Sequence, residues 1–365
     1  MVTSDGRQTI SRVIFNPPHS AVTRFHNVGQ RSRGFDDSSH RPRDRARFPS
    51  WAIQPIVRFL VLFGAAAVAS AESPRVLLLD AALAGSEIVA VGEGGTIVRS
   101  ADSGGSWTPA SSFTTATLTG IAFAPDSLHG WAVGHDALIL ATSDGGRTWQ
   151  KQWQAKNLEL SFLDVCALDA QRVFAVGAFG LFLATTDGGK NWTTRRVLDD
   201  DMHLNRITRG PTGTLYLAGE HGTLRRSTDA GATWTRLDSP YDGSFYGILP
   251  LGPRTLLAYG LRGRVFRSTD DGDGWEPIKI DRPMLIVAAL KIKSGALMLA
   301  GQSRALFISA DDGATFSPSP INFSSAIAEL VEAPDGTVLA FGEAGATRLG
   351  VRSDVASPMS ARSAP

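Results

Sequence analysis

Cysteine is nearly absent from this 365-residue chain, because Cys166 is the only one. An intrachain disulfide is therefore excluded. Cys166 lies in the apolar segment 162–167, whereas a reactive thiol requires a polar, electropositive setting. We interpret Cys166 as a small, buried hydrophobic residue.

Long hydrophobic runs are also absent, with one exception. Residues 59–69 are apolar apart from Gly64, follow Arg58 and run into Ala69-Ser70-Ala71. The run is too short to span a bilayer comfortably. A charged flank, an apolar centre and a small-x-small end are typical of a secretory signal. We predict a signal peptide over residues 51–71 that is cleaved after Ala71, with an uncleaved anchor or a buried strand as the alternative.

Residues 1–50 lack lysine and a hydrophobic pattern. They contain nine arginines and four acidic residues, a composition that predicts a disordered leader. Two explanations stay open: translation starts nearer the apolar run, or the segment is an organelle transit peptide ahead of the signal. Residues 356–365 are predicted to be a disordered tail.

The chain has no large excess of either positive or negative residues, since its net charge is +1. Ten of the 36 basic residues and four of the 35 acidic residues precede Ala71, so the rest has 26 basic and 31 acidic residues and a net charge of −5. This balance argues against nucleic acid as a partner. The histidines after Ala71 lack metal-ligand spacing and no cofactor motif occurs, so we expect neither a metal nor a cofactor.

One motif, in contrast, occurs six times along the chain. Each copy reads Ser/Thr-x-Asp-x-Gly-x-(Ser/Thr/Asn/Gly)-(Trp/Phe), give or take one position, and consecutive copies lie 41 to 43 residues apart. The aspartate can accept backbone hydrogen bonds within a turn, the glycine can adopt a left-handed conformation, and the aromatic ring can pack the turn against its neighbours. We expect the aspartates of this Asp box to be structural; they are Asp102, Asp144, Asp187, Asp229, Asp270 and Asp311.

A glycine that ends an apolar segment precedes each motif by eight residues and marks a seventh unit. These glycines are Gly92, Gly134, Gly177, Gly219, Gly260, Gly301 and Gly342. In the seventh unit Arg352 takes the aspartate position, so that box is degenerate. A period near 40 residues with short apolar segments predicts propeller blades. The predicted fold is all-β, a seven-bladed β-propeller over residues 72–355.

The second unit shows the expected blade, with strands predicted at 118–123, 131–134, 137–142 and 149–153. No segment after the leader has the length and periodicity of a sizeable helix. Ring closure stays open. The seventh unit shows three strands, and no spare strand lies between the leader and Val76.

Two segments of these repeats resemble a known family. Residues 90–107 (AVGEGGTIVRSADSGGSW) and 130–149 (GWAVGHDALILATSDGGRTW) are similar to repeats of the photosystem II stability/assembly factor-like family, and the resemblance covers roughly residues 73–355. The Asp box also occurs in sialidases and sortilins, so the Val-Gly-x-x-Gly-x-hydrophobic segment before it is the more specific part. The resemblance implies a seven-bladed propeller with BNR-type Asp boxes.

The resemblance also implies a function. It implies a non-enzymatic assembly factor that binds a membrane-protein complex or its unassembled subunit. The location would be the periplasm or extracellular space, or the thylakoid lumen in a photosynthetic organism. We also expect a monomer.

A sialidase-like Asp-box glycoside hydrolase is the alternative. It would need a tyrosine nucleophile with a glutamate partner, and another glycosidase would need two carboxylates across a cleft. Of the four tyrosines, Tyr216 and Tyr259 fall in predicted strands and are expected to be packed. The residues allow no catalytic pair to be selected, and we expect no catalytic residue.

Binding residues are expected on one face, because the turns between second and third strands and the loops between blades lie on the same side of a propeller. Loop 238–246 is rich in tyrosine, which is favoured at interfaces; packing against a blade is the alternative. The arginines before three motifs either form a basic stripe or bond to carbonyls and acidic neighbours. The candidates are Tyr241, Asp242, Tyr246, Arg282, Glu220, His221 and Arg262 on the loops, and Arg99, Arg226 and Arg267 in the stripe.

Overall fold

The computed structural model describes residues 74–303, 305–321 and 323–350. Predictions for the leader, the signal peptide, the Arg352 position and the tail lie outside these residues. The described residues form seven antiparallel sheets in which each strand pairs with the next along the chain. Six sheets have four strands, and the seventh has three among the described residues. The all-β, seven-bladed propeller is therefore confirmed.

In chain order, the strands are β1 Leu78–Ala84, β2 Glu87–Gly92, β3 Ile97–Ser100 and β4 Thr108–Ala110 (blade 1); β5 Leu118–Phe123, β6 Gly130–Gly134, β7 Leu138–Thr142 and β8 Gln150–Gln154 (blade 2); β9 Phe162–Ala167, β10 Val173–Gly177, β11 Phe182–Thr185 and β12 Thr193–Thr194 (blade 3); β13 Leu204–Arg209, β14 Leu215–Gly219, β15 Leu224–Ser227 and β16 Thr235–Arg236 (blade 4); β17 Phe245–Pro250, β18 Leu256–Gly260, β19 Val265–Ser268 and β20 Glu276–Ile278 (blade 5); β21 Ile286–Lys291, β22 Leu297–Gly301, β23 Leu306–Ser309 and β24 Ser317–Pro318 (blade 6); and β25 Ile327–Glu332, β26 Val338–Gly342 and β27 Gly345–Leu349 (blade 7).

Helix is limited, in the described part of the chain, to four single 3₁₀ turns, which all follow second strands. They are Glu93–Gly95, His135–Ala137, Ala178–Gly180 and Leu261–Gly263. None of the described residues forms a helix with the length and apolar character needed to cross a membrane.

The hydrophobic core lies between blades. Seven apolar clusters each join side chains of two neighbouring blades. From β6 onward, all five residues of each second strand are buried, because these strands pack against both neighbouring blades. A blade therefore has no core of its own and depends on its neighbours for burial.

Ring closure depends on packing of blade 1 against blade 7. The Trp107 ring meets Phe341 edge-on, with centroids 5.9 Å apart. A Cβ added to Gly345 would lie 1.8 Å from the Pro74 carbonyl oxygen. In blades 1, 3, 4 and 5 the equivalent glycine likewise faces a carbonyl oxygen of the between-blade loop; these glycines are Gly95, Gly180, Gly222 and Gly263. Residues before β1 thus occupy the position of a between-blade loop, which closes the ring.

The six Asp boxes share one hydrogen-bond pattern. Asp102 Oδ1 accepts from the Ser100 hydroxyl and the Ser106 amide, both at 2.8 Å, and Oδ2 accepts from the Ser106 hydroxyl at 2.7 Å. The Ser100 hydroxyl oxygen in turn accepts from the Gly104 amide at 2.8 Å. In the other five boxes, the aspartate likewise accepts from the hydroxyl two residues before it and the amide four residues after it. The aspartates therefore hold the turns together.

Asp144→Ala should lower the free energy of unfolding by about 1–3 kcal/mol, since it leaves the turn amides without their acceptor. Burial raises the pKa of Asp144, but hydrogen bonds from Thr148, Thr142 and Arg147 outweigh it and lower the pKa to about 2. A depressed folded-state pKa adds stability above the ordinary value of 3.8 that is lost as the pH falls towards 2. Urea titrations at pH 7 and pH 2.5 should therefore show that the difference between wild type and variant shrinks in acid. A variant as stable as wild type at pH 7 would contradict the structural role.

Candidate binding face

The turns after the second strands and the loops between blades meet on one side of the ring, which we call the loop face. The Gly180 amide donates to the Met202 carbonyl at 2.9 Å, and the Gly222 amide donates to the Gly243 carbonyl at 2.9 Å. The Asp boxes join third to fourth strands and so lie at the opposite ends of the blades. The loop face consists of turns 93–95, 135–137, 178–180, 220–222, 261–263, 302–303 and 343–344 and loops 111–117, 155–161, 195–203, 237–244, 279–285, 319–321 and 323–326.

The middle residue of six of these turns has a left-handed backbone, with φ between 48° and 62°. This conformation is unfavourable for most residues other than glycine. It presents the exposed side chains of Phe179, His221 and Arg262 on the loop face. His221 and Arg262 were predicted from their position in the repeat. Phe179 was missed because only polar side chains were considered there, although the same position identifies it.

Two predicted arginines lie at a hollow of about 400 Å³ in blade 5, which we call the basic hollow. Arg262 lines it, and Arg282 lies between two of its lining residues, Asp281 and Pro283. A Cβ added to Gly263 would lie 2.5 Å from the Arg282 carbonyl oxygen, so Arg282 and Arg262 are close along the backbone. Their side chains are exposed, and neither guanidinium forms an ion pair with a described residue. The residues that line the hollow are Arg262, Gly263, Arg264, Val265, Phe266, Pro277, Ile278, Lys279, Ile280, Asp281 and Pro283.

Tyr241 packs against blade 5, which is the alternative that the sequence left open. Its half-buried ring stacks on Phe266 at 6.4 Å and meets Phe245 edge-on at 6.0 Å. The Arg264 guanidinium lies 5.9 Å from the ring centroid. Tyr241 therefore supports a wall of the basic hollow, and the exposed Asp242 follows it.

Glu220 fixes a histidine on the loop face. Its Oε2 accepts from the His203 amide at 3.0 Å, and its Oε1 lies 3.3 Å from His203 Nδ1. The His203 ring meets Phe179 edge-on, with centroids 5.0 Å apart. Burial raises the pKa of Tyr246, and the nearby Glu220 carboxylate adds to this. Glu220 thus lies near the predicted Tyr246 and holds the histidine that contacts the unpredicted Phe179. Tyr246 was predicted on loop 238–246, but it lies in strand β17, which begins at Phe245.

The three arginines of the predicted stripe are paired with acidic neighbours. Arg99 forms an ion pair with Glu87 in its own blade. Arg226 lies 3.0 Å from Asp271 Oδ2, and Arg267 lies 3.3 Å from Asp312 Oδ2. Asp271 and Asp312 belong to the Asp boxes of the following blades. Arg226 and Arg267 therefore tie neighbouring blades together, and any docking role of the stripe stays a prediction.

A like-charge pair on the outer edge of blade 4 was not predicted. Arg225 lies directly opposite Arg236 on neighbouring strands, an arrangement that costs free energy. Burial lowers the pKa of Arg225, and Arg236 lowers it further. The pair can be recognised only once the strand register is known, because the two arginines lie eleven positions apart in the sequence.

The channel at the centre of the ring holds charged groups that the sequence did not indicate. Asp80, Asp164, Arg206 and Glu329 all occupy the third position of their inner strands and line a space of about 320 Å³. Arg206 Nη1 donates to Glu329 Oε2 at 2.8 Å and so links blades 4 and 7. Burial raises the pKa of Asp164 to about 6. The described residues contain no group of three or more acidic, histidine or cysteine side chains arranged to hold a metal.

Carboxylates in the channel also join adjacent blades. Asp80 Oδ2 accepts from the Ile121 amide at 2.7 Å, and Asp164 Oδ2 accepts from the Ile207 amide at 2.9 Å. Cys166 lines the same space, and burial raises the pKa of its thiol to about 12. The interpretation of Cys166 as a buried residue is confirmed, and its lack of reactivity stays a prediction.

Comparison with known proteins supports the predicted resemblance. The family model described as photosynthesis system II assembly factor YCF48 matches residues 150–284, which span the fourth strand of blade 2 to the loop after blade 5. A search of curated proteins returned no significant match. The resemblance to the photosystem II stability/assembly factor-like family is therefore confirmed.

Solved structures share the fold. YCF48 bound to D1 peptide is similar with a TM-score of 0.63 and 20% identity, over 78% of this chain and 95% of that chain. YCF48 from Cyanidioschyzon merolae has a TM-score of 0.63 and 14% identity, over 75% and 95%. The WD40 propeller domain of Doa1 has a TM-score of 0.61 and 9% identity, over 75% and 92%. At these identities the similarity shows the propeller fold alone.

Proposed function

We propose that this chain is a non-enzymatic binding propeller that acts outside the cytoplasm and holds a segment of a membrane-protein subunit on its loop face. A related propeller, YCF48, binds a D1 peptide, and D1 is the type of partner that we infer. The match to the YCF48 family model covers blades 3 to 5, which include the basic hollow.

The observation that carries the proposal is the pair Arg262 and Arg282. Both arginines are exposed and have no ion-pair partner within the described part of the chain, and the apolar walls beside them include Ile278 and Pro283. Such a surface is suited to a segment with an acidic and an apolar side chain. Arginine and tyrosine are also the residue types most enriched at binding hot spots. The fixed Tyr241 ring keeps one wall of the hollow in place.

The hydrolase alternative lacks a prepared pair of groups. Tyr216 and Tyr259 are buried in second strands, as predicted. Tyr246 lies near Glu220, but the Glu220 carboxylate is bonded to His203. The carboxylates of the Asp boxes are engaged within their own turns. A sialidase needs a tyrosine whose hydroxyl a glutamate can deprotonate, and this arrangement does not supply one.

Binding of a fluorescein-labelled D1 peptide to the purified exported chain, measured by fluorescence anisotropy, tests the proposal. Arg262→Ala combined with Arg282→Ala should weaken binding at least about tenfold, because it removes both unpaired cations. Arg254→Ala is the matched control, since Arg254 is exposed on the turn between the first two strands of the same blade, at the opposite end.

Three outcomes would contradict the proposal. The peptide would fail to bind, the double variant would bind as tightly as wild type, or the control would lose as much affinity. Turnover of a sialoside that is lost in Glu220→Gln or Asp242→Asn would favour the hydrolase instead.

A further inference from the structure

Phe179 is a large apolar side chain exposed on the loop face. It is 59% exposed and has a φ of 56°. At the same turn position the other blades have small or polar residues, among them Gly94, Asp136 and Ser303. An exposed aromatic ring on a left-handed backbone gains little from burial to offset the strain, and such positions are concentrated at binding sites.

The Phe179 ring contacts a histidine that is itself held in place. His203 contacts it edge-on at 5.0 Å, and Glu220 holds His203 through both carboxylate oxygens. The Glu220 amide also donates to the His203 carbonyl at 3.0 Å. By contrast, Phe113 is 86% exposed and its ring contacts no aromatic ring in the described chain. A ring that is already ordered loses little entropy when a partner binds, so Phe179 is suited to an anchoring role and Phe113 is not.

Three acidic residues lie on the loop beside the Phe179 turn. A Cβ added to Gly180 would lie 3.5 Å from the Asp200 carbonyl oxygen, so loop 199–201 runs beside the turn that carries Phe179. The side chains of Asp199, Asp200 and Asp201 are exposed, and Asp199 interacts electrostatically with Arg225. Negative charge on a loop next to an exposed apolar ring favours a basic partner residue next to an apolar one. It disfavours an anionic membrane surface.

We propose that Phe179 anchors an apolar side chain of the bound segment, and that the residue next to this side chain is basic and faces loop 199–201. The inference rests on the proposed function and extends it. The loop face then has an aromatic and acidic end at blade 3 and a cationic end at the basic hollow, two blades further along. An extended segment with an apolar-basic end and an acidic end binds in only one direction.

Photocrosslinking tests the contact itself. Phe179 or Phe113 is replaced by p-benzoylphenylalanine, and each variant is irradiated with the fluorescein-labelled D1 peptide. The variant at Phe179 should form a crosslink to the peptide, whereas the variant at Phe113 should not. Phe179→Ala should weaken binding of the same peptide about tenfold, and Phe113→Ala should change it less than about twofold.

Designed peptides test the charge preference. Three synthetic fluorescein-labelled peptides all end in two glutamates. They differ in their first two residues, which are Phe-Lys, Phe-Glu or Ala-Lys. The Phe-Lys peptide should bind at least about tenfold more tightly than either of the others. A triple variant, Asp199→Asn with Asp200→Asn and Asp201→Asn, should abolish the preference for Phe-Lys over Phe-Glu and keep the preference for Phe-Lys over Ala-Lys.

The outcomes separate this inference from the proposed function. If the D1 peptide binds in a manner that depends on Arg262 and Arg282, but Phe179→Ala is neutral or Phe113 crosslinks instead, this inference fails and the proposed function stands. Equal binding of the three designed peptides also overturns it. If no peptide binds the wild-type chain, both fail.

Discussion

Trp149→Ala should lower the free energy of unfolding by about 3–5 kcal/mol, the loss expected for an aromatic side chain removed from a packed core. The Trp149 side chain is 1% exposed, and its Nε1 donates to the Gly146 carbonyl at 3.1 Å. Its ring meets Phe123 edge-on at 6.2 Å, within the apolar cluster that joins blades 1 and 2. The substitution should open a cavity that the neighbouring strands cannot fill without breaking their register.

Trp192→Ala is the matched control. Trp192 occupies the same position of its Asp box, but its side chain is half-buried. Urea unfolding followed by circular dichroism gives both free energies by linear extrapolation. The loss should be clearly smaller for Trp192→Ala, because less apolar surface is removed from contact. Equal losses would mean that the contribution of these rings to the free energy of unfolding depends on their position in the Asp box and not on their burial between blades.

The repeats predicted the fold because the same turn chemistry recurs along the chain. In the second unit the predicted strand 118–123 coincides with β5, and the prediction 131–134 differs from β6 by one residue. The repeats did not predict how the ring closes. The contacts of Trp107 with Phe341 and of Pro74 with Gly345 join residues more than 200 positions apart, and no local pattern encodes such contacts.

The candidate site was predictable where the repeat numbering placed residues on loops. It placed Arg262 and Arg282 on one face of the ring, because their positions follow from the blade layout. It left open whether Arg226 bonds an acidic neighbour and could not single out Asp271, because that pairing depends on how consecutive blades pack. Phe179 was missed because only polar side chains of the turns were considered as candidates.

The charged channel was missed for a related reason. Inner strands of a propeller are expected to be apolar. Asp80 and Asp164 are each the only charged residue of such a strand, and Glu329 shares its strand only with Glu332 at the end. Only the closed ring brings them towards Arg206. Their pairing therefore depends on tertiary structure and has no local sequence signature.

Arg206→Met should destabilise the propeller by about 3 kcal/mol, because it leaves carboxylates in the channel without their cation. Arg206 is 26% exposed and Glu329 is 8% exposed, so water can compensate the lost pair only in part. This exposure places the expected loss at the lower end of the range for buried ion pairs. Burial raises the pKa of Asp80, and the neighbouring Glu329 carboxylate raises it further, so the remaining acids should take up protons when the guanidinium is removed.

Combination with Glu329→Met tests whether the loss comes from uncompensated charge. The double variant should recover much of the stability lost in Arg206→Met, because an apolar pair of similar volume replaces the ion pair. Arg209→Met is the control, since Arg209 is exposed and its guanidinium donates to the Leu168 carbonyl. Urea unfolding at pH 7 and pH 5 gives the free energy of unfolding of wild type, Arg206→Met, the double variant and Arg209→Met. The loss in Arg206→Met should be smaller at pH 5, where protonation removes negative charge from the channel. A loss that is independent of pH and persists in the double variant would show that Arg206 stabilises the ring by packing rather than by charge.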